Sequence, residues 1–214
     1  MNIGVEIDIT AAISNKPPEL DFLFAGFLAG TVGALVAPGA TGKSFFALEA
    51  AVSIACGGVS SGDLVGLCPT QAGRVLYLAG EDTAPALVQR VHAIGQHLSH
   101  EARVLLAKNL VLRATMGSRF DIMDEKQIQS VIEHVEGSRL IVLDTLSRAH
   151  HLDENSNGQM AQLVSILEYV AAKTGASILY LHHISKGAAR EGQGDQQQAA
   201  RGASALIDNA RWCG

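Results

Sequence analysis

The feature that most constrains this chain is the run Ala37-Pro38-Gly39-Ala40-Thr41-Gly42-Lys43-Ser44, set between an apolar stretch of strand length and a segment of helical period. A strand that passes to a helix through a glycine-rich turn aims successive backbone N–H groups inward, and the helix adds the positive end of its dipole. Such a cradle takes phosphate. The lysine that closes it reaches the β- and γ-phosphates, and the hydroxyl after it is placed to ligate Mg²⁺, which assigns those roles to Lys43 and Ser44. The nucleotide contact is expected from Pro38, Gly39, Ala40, Thr41, Gly42, Lys43, Ser44 and Phe45, with ATP and Mg²⁺ as ligands. The usual pattern GxxxxGK[ST] opens on glycine where this chain has Ala37, while Gly39 and Gly42 keep the tight turns.

Around this P-loop, apolar runs of strand length alternate with longer helical patterns, the signature of an α/β fold with a mostly parallel twisted sheet flanked by helices. The spacing predicts strands at 31–36, 75–79, 110–112, 140–143 and 177–181 and helices at about 44–56, 85–98, 124–136 and 159–173. Thr83 and Pro85 mark the start of the second helix, and Gly137 and Gly175 the ends of the third and fourth. Two long loops remain, Ser147 to Gly158 and Ser185 to about Gly202. At 214 residues the chain fits one core.

Three further motifs carry chemistry. Leu140-Ile141-Val142-Leu143-Asp144 is an apolar strand ending in a carboxylate, the form of a Walker B strand, and Asp144 is expected to join Ser44 at the metal. Tyr77-Leu78-Ala79-Gly80-Glu81-Asp82 places two carboxylates just past a strand expected to lie beside the P-loop strand. Glu81 is read as the base that polarises the attacking water, and Asp82 as its support or a cap of the next helix. Tyr180-Leu181-His182-His183 delivers two histidines to the same sheet edge. Side chains alternate along a strand, so only one faces the γ-phosphate, and His183 is favoured. His150 and His151 read as a polar strand end.

Other classes recede on composition. The net charge of −5 argues against a broad basic surface that coats duplex DNA, though not against a strand gripped by a few loop residues. Cys56, Cys68 and Cys213 are odd in number and lack CxxC spacing, which fits reduced thiols rather than a disulfide framework or zinc site. No clean membrane span and no basic leader are present, so a cytoplasmic protein is expected.

These motifs, together with Gly194-Asp195-Gln196-Gln197-Gln198-Ala199-Ala200-Arg201-Gly202-Ala203-Ser204 and Asp208-Asn209-Ala210-Arg211-Trp212, resemble in order the RepA-type hexameric replicative helicases of broad-host-range plasmids, over almost the whole chain. The resemblance implies a RecA-like fold related to the DnaB class, forming a homohexamer that hydrolyses ATP between subunits and moves on single-stranded DNA. It also implies that Glu81 is the catalytic glutamate, His183 the switch histidine and Arg211 an arginine finger acting on the neighbouring subunit's γ-phosphate. Arg90 matches an arginine near the nucleotide, or is an ordinary helix-surface residue. The segment 185–202 matches the channel-facing loop, which makes Lys186, Arg190 and Arg201 either contacts to the DNA backbone or residues of a solvated loop. The sequence stops at Trp212-Cys213-Gly214 where the family continues through further strands. A RecA-like ATPase domain over 31–214 is thus expected without those strands, preceded by an N-terminal arm over 1–30 that contacts the next subunit. The alternative function is a RecA-like recombination or regulatory ATPase that binds DNA without unwinding it. A purely structural nucleotide-dependent module would need neither Glu81 nor Arg211.

Overall fold

A computed structural model of the protein describes residues 4–58, 61–184 and 204–214. Among the described residues, six strands form a parallel sheet: β3 (Val32–Pro38), β4 (Arg74–Ala79), β5 (Leu110–Ala114), β6 (Ser138–Asp144), β7 (Ser177–Ile184) and β8 (Trp212–Cys213). Their order is β5-β4-β6-β7-β3-β8, and every neighbouring pair runs parallel. The central strands are almost continuously apolar because helices cover both faces of the sheet.

One face carries α2 (Lys43–Cys56), α3 (Ala84–Gly95) and α4 (His100–Asn109), packed on Leu35, Val75, Tyr77, Val142 and Leu181. The other carries α5 (Glu125–Val135), α6 (Asn157–Thr174) and the short α7 (Ser204–Asp208), packed on Ala34, Val36, Leu76, Ile141 and Tyr180. Alanines 47, 50, 51 and 55 are fully buried, which lets α2 lie close against the sheet and fixes the loop before it. Ser156 caps α6 by accepting from the Gln159 amide, and Gly175 ends it in the left-handed conformation at φ 72°.

An antiparallel hairpin, β1 (Phe22–Phe24) with β2 (Phe27–Leu28), closes the end of the sheet remote from the P-loop. Phe27 stacks on Trp212 at a centroid distance of 5.5 Å, and Phe24 meets Trp212 edge-on. Gly33 is required there, since an added Cβ would lie 2.8 Å from Phe27 Cζ. Before the hairpin, Asp21 is held bidentately by Arg139 at 2.6 and 2.7 Å, and the chain ahead of it forms one short helix, α1 (Ile9–Ser14), with no buried residue.

The strand order corrects one expectation. β4, which leads to Glu81, does not lie beside the P-loop strand β3, because β6 and β7 stand between them. Neighbourhood in a doubly wound sheet is set by the crossovers, and local pattern carries no record of them. The helix α4, the hairpin and β8 also fall outside the predicted elements, and the predicted second helix ends at Gly95 rather than 98. Among the described residues no helix is long and apolar enough to cross a membrane. Lys186, Arg190 and Arg201 lie outside the described residues.

Candidate nucleotide-binding site

The C-terminal edge of the sheet is where open α/β folds bind ligands, and the expected residues meet there. β3 ends at Pro38, and α2 starts at Lys43 after Ala40 at φ 63° and Gly42 at φ 90°. Gly42 occupies the helix cap without a side-chain acceptor, so the first-turn amides of α2 are left for a ligand. Thr41 Oγ1 donates to the Pro38 carbonyl at 2.9 Å and braces the turn. Phe45 is half exposed on the first turn of α2.

Lys43 is buried, and its ammonium donates to the carbonyls of Ala37 (2.6 Å) and Pro38 (2.8 Å) and lies 3.1 Å from His183 Nδ1. Burial pushes this lysine below its usual range, against the pull of the Asp144 and Glu81 charges. The ammonium is thus parked on the loop it would serve.

Ser44 Oγ donates to Asp144 Oδ1 at 2.9 Å, and Tyr77 Oη donates to Asp144 Oδ2 at 2.6 Å. Burial raises the Asp144 carboxyl above the usual range; the two hydrogen bonds oppose the rise, while the charges of Asp82 and Glu81 add to it. Burial, then Asp144, raises the Tyr77 phenol as well, so Tyr77 stays a donor. Ser44 and Asp144 offer converging hard oxygens one hydrogen bond apart, a donor set that fits Mg²⁺ with its retained waters.

Glu81 reaches the site although β4 is remote from β3, because its side chain extends over the ends of β6 and β7. Its Oε1 accepts from Thr145 Oγ1 at 3.3 Å and lies 3.8 Å from Arg148 Nε, and its Oε2 lies 3.7 Å from His183 Nε2. Thr145 Oγ1 is in turn 3.0 Å from Ser147 Oγ. Gly80 is needed for this packing, since an added Cβ would lie 2.5 Å from the Cβ of Arg148. His183 stands in register with Ala37, the first residue of the loop, and joins Lys43 to Glu81. His182 points away and is buried, and burial lowers its pKa. His150 is buried too, accepting from the Leu152 amide, and is likewise kept neutral by burial.

Arg90 flanks the site: it is engaged with Asp82 through two contacts of 2.7 and 3.0 Å, and its charge reaches the Tyr77 phenol that holds Asp144. Arg211 donates its backbone amide to Val32 at the start of β3. From there to Pro38 is six residues of parallel strand, about 20 Å at roughly 3.3 Å per residue. Arg211 is therefore at the opposite end of the sheet from its own P-loop. Sequence reasoning missed Tyr77, Thr145 and Arg148; the signal for Tyr77 is a hydroxyl within an otherwise apolar strand, which must find a partner.

A family model described as an AAA domain (AAA_25) matches residues 6–189. The chain belongs to this AAA domain family. The AAA domain also resembles a solved structure described as an ATPase domain, at 15% identity and a TM-score of 0.55, over 84% of this chain and 66% of that one. A second similar structure is the RadB recombinase, at 19% identity and a TM-score of 0.46, over 81% of this chain and 71% of that one. The chain thus spans just under two thirds of the first of these structures. The mostly parallel six-stranded sheet flanked by helices, with its strand–glycine turn–helix entry at Lys43, is an α/β P-loop NTPase fold.

Proposed function

We infer that this AAA domain is the motor of a homohexameric helicase that hydrolyses ATP between subunits while moving on single-stranded DNA, in the manner of the plasmid RepA-type helicases it resembles. The observation that carries the reading is the split of the machinery across the sheet. Lys43, Ser44, Glu81, Asp144 and His183 gather at one edge, and Arg211 stands about 20 Å away at roughly 3.3 Å per residue. A finger so placed serves only a neighbour's site. The domain over 31–214 supplies that site, with the Phe22–Leu28 hairpin of the segment 1–30 packed against its sheet.

In this mechanism Lys43 leaves the carbonyls of Ala37 and Pro38 for the β- and γ-phosphates, and the amides from Gly39 to Phe45 hold the phosphate chain. Ser44 and Asp144 hold Mg²⁺, which when bound neutralises charge on the β- and γ-phosphates. Glu81, held by Thr145, takes a proton from the attacking water. His183 touches both Lys43 and Glu81, so loss of the γ-phosphate changes its contacts at the head of the segment that follows. Lys186, Arg190 and Arg201 in that segment bind the DNA backbone, with an affinity that falls as salt rises.

Strand displacement on a forked duplex, with Lys43→Ala as control, tests the reading. Displacement that requires ATP and vanishes in the control supports it. DNA-stimulated hydrolysis without displacement would instead identify a recombination or regulatory ATPase.

A further inference from the structure

After Asp144 the chain turns through a 3₁₀ segment, Leu146–Arg148, closed by the Arg148 amide donating to the Thr145 carbonyl at 3.1 Å. Leu146 is fully buried and pins the turn to the core, while the Arg148 side chain, two residues on, is 63% exposed at the C-terminal edge of the sheet. The stem of Arg148 lies on Gly80, where an added Cβ would meet Arg148 Cβ at 2.5 Å and Cγ at 3.0 Å. That packing delivers the guanidinium to the next residue, with Nε 3.8 Å from Glu81 Oε1.

Two arginines flank the site, and they are held differently. Arg90 is fixed on Asp82 by contacts of 2.7 and 3.0 Å. Arg148 stands beyond hydrogen-bond reach of Glu81, which is its one ion-pair partner among the described residues. An exposed pair of this kind shifts an equilibrium by about fivefold at most, whereas a guanidinium meets a phosphate through two parallel charge-assisted hydrogen bonds. Glu81, for its part, is engaged at both oxygens. Oε1 accepts from Thr145 Oγ1 at 3.3 Å and faces Arg148, and Oε2 lies 3.7 Å from His183 Nε2. Thr145 and Arg148 therefore crowd one oxygen of the group that has to meet the attacking water.

We propose that Arg148 is a positioning residue that restrains Glu81 until a phosphodiester of single-stranded nucleic acid takes its guanidinium. The phosphate offers the bidentate partner that Glu81 at 3.8 Å does not. Arg148 then leaves Oε1, and the carboxylate is free to orient the water. Thr145 stays in place and keeps Glu81 at the site. The inference rests on the reading of Glu81 as the base, and it gives the exposed cation of the 3₁₀ turn the task of coupling a bound strand to hydrolysis.

Steady-state ATP hydrolysis by the full chain, with and without single-stranded DNA, tests it in the wild type, Arg148→Gln and Arg148→Lys, beside Glu81→Gln. Glutamine keeps the stem on Gly80 and drops the charge, so the variant folds, which circular dichroism checks. In Arg148→Gln the DNA-free kcat should rise about twofold to fivefold at an unchanged KM for ATP, and the stimulation by DNA should fall by the same factor. Arg148→Lys, which keeps a charge there, should fall between the two. A DNA-free rate that does not rise, or stimulation that survives in Arg148→Gln at the wild-type ratio, would overturn the restraint while leaving Glu81 as the base. A raised KM for ATP in Arg148→Gln would put the guanidinium on a phosphate of the nucleotide rather than of the strand, and would overturn it too. Hydrolysis that survives intact in Glu81→Gln would overturn the reading of the base itself.

Discussion

Tyr77 Oη and Ser44 Oγ each donate to a different oxygen of Asp144, at 2.6 and 2.9 Å, so one buried carboxylate is held from two other elements of the fold. Tyr77→Phe removes the shorter bond and leaves a buried acceptor unmet. The expected cost is about 1–3 kcal/mol, or about 2–4 °C in Tm for each kcal/mol in a domain of this size, with weaker Mg²⁺ dependence of hydrolysis. Thermal melts and a Mg²⁺ titration read both; an unchanged Mg²⁺ titration removes Tyr77 from the site.

Asp144 also sets a pH dependence. Its carboxyl lies above the usual range in the fold because burial penalises its charge. The penalty is absent below the unfolded pKa and complete above the folded one, so the metal-free protein loses stability as pH rises through that window. Mg²⁺ needs the carboxylate and so binds more tightly across the same rise. Melts from acid to neutral pH, with and without Mg²⁺ and ATP, should diverge in the wild type and run parallel in Asp144→Asn.

Lys43 is a buried cation whose near partners among the described residues are two carbonyls and a histidine. Lys43→Ala is expected to abolish the rise in Tm caused by ATP while leaving the nucleotide-free Tm near or above that of the wild type. A large fall in the nucleotide-free Tm would show that the lysine supports the fold rather than the ligand.

Glu81→Gln keeps the shape and removes the proposed base. Hydrolysis should fall about 10²- to 10⁴-fold with ATP binding retained. Thr145→Val removes one hydrogen bond to Glu81, worth about 0.5–1.5 kcal/mol, and should slow turnover about threefold to tenfold without weakening ATP. Single-turnover rates beside a binding isotherm separate the two.

Arg211→Ala should lower kcat about 10³- to 10⁵-fold with unchanged ATP affinity. The proposed finger works in trans, so adding Glu81→Gln subunits, which carry an intact Arg211, should restore part of the rate. Full activity in Arg211→Ala alone would end the assignment.

Much of the site is legible in the sequence because phosphate chemistry dictates spacing. The run from Ala37 to Ser44, the acid that ends β6 and the histidine level with Ala37 each lie within one local segment. What depends on distant pairing is not legible. α4 buries only Ala102 and Leu106, a stripe too narrow to stand out. β8 is two residues long and is defined by the Gly33 and Ala34 it pairs with. The route by which Glu81 spans β6 and β7 exists only once the crossovers have fixed the strand order. Tyr77 shows its role only when Asp144 arrives beside it.

Steady-state ATP hydrolysis with and without single-stranded DNA, for the wild type and Lys43→Ala, tests the central claim most directly. The account predicts Mg²⁺-dependent hydrolysis that DNA stimulates, that weakens as salt rises and that disappears in the variant. Hydrolysis indifferent to DNA, or equal in the wild type and Lys43→Ala, would contradict it.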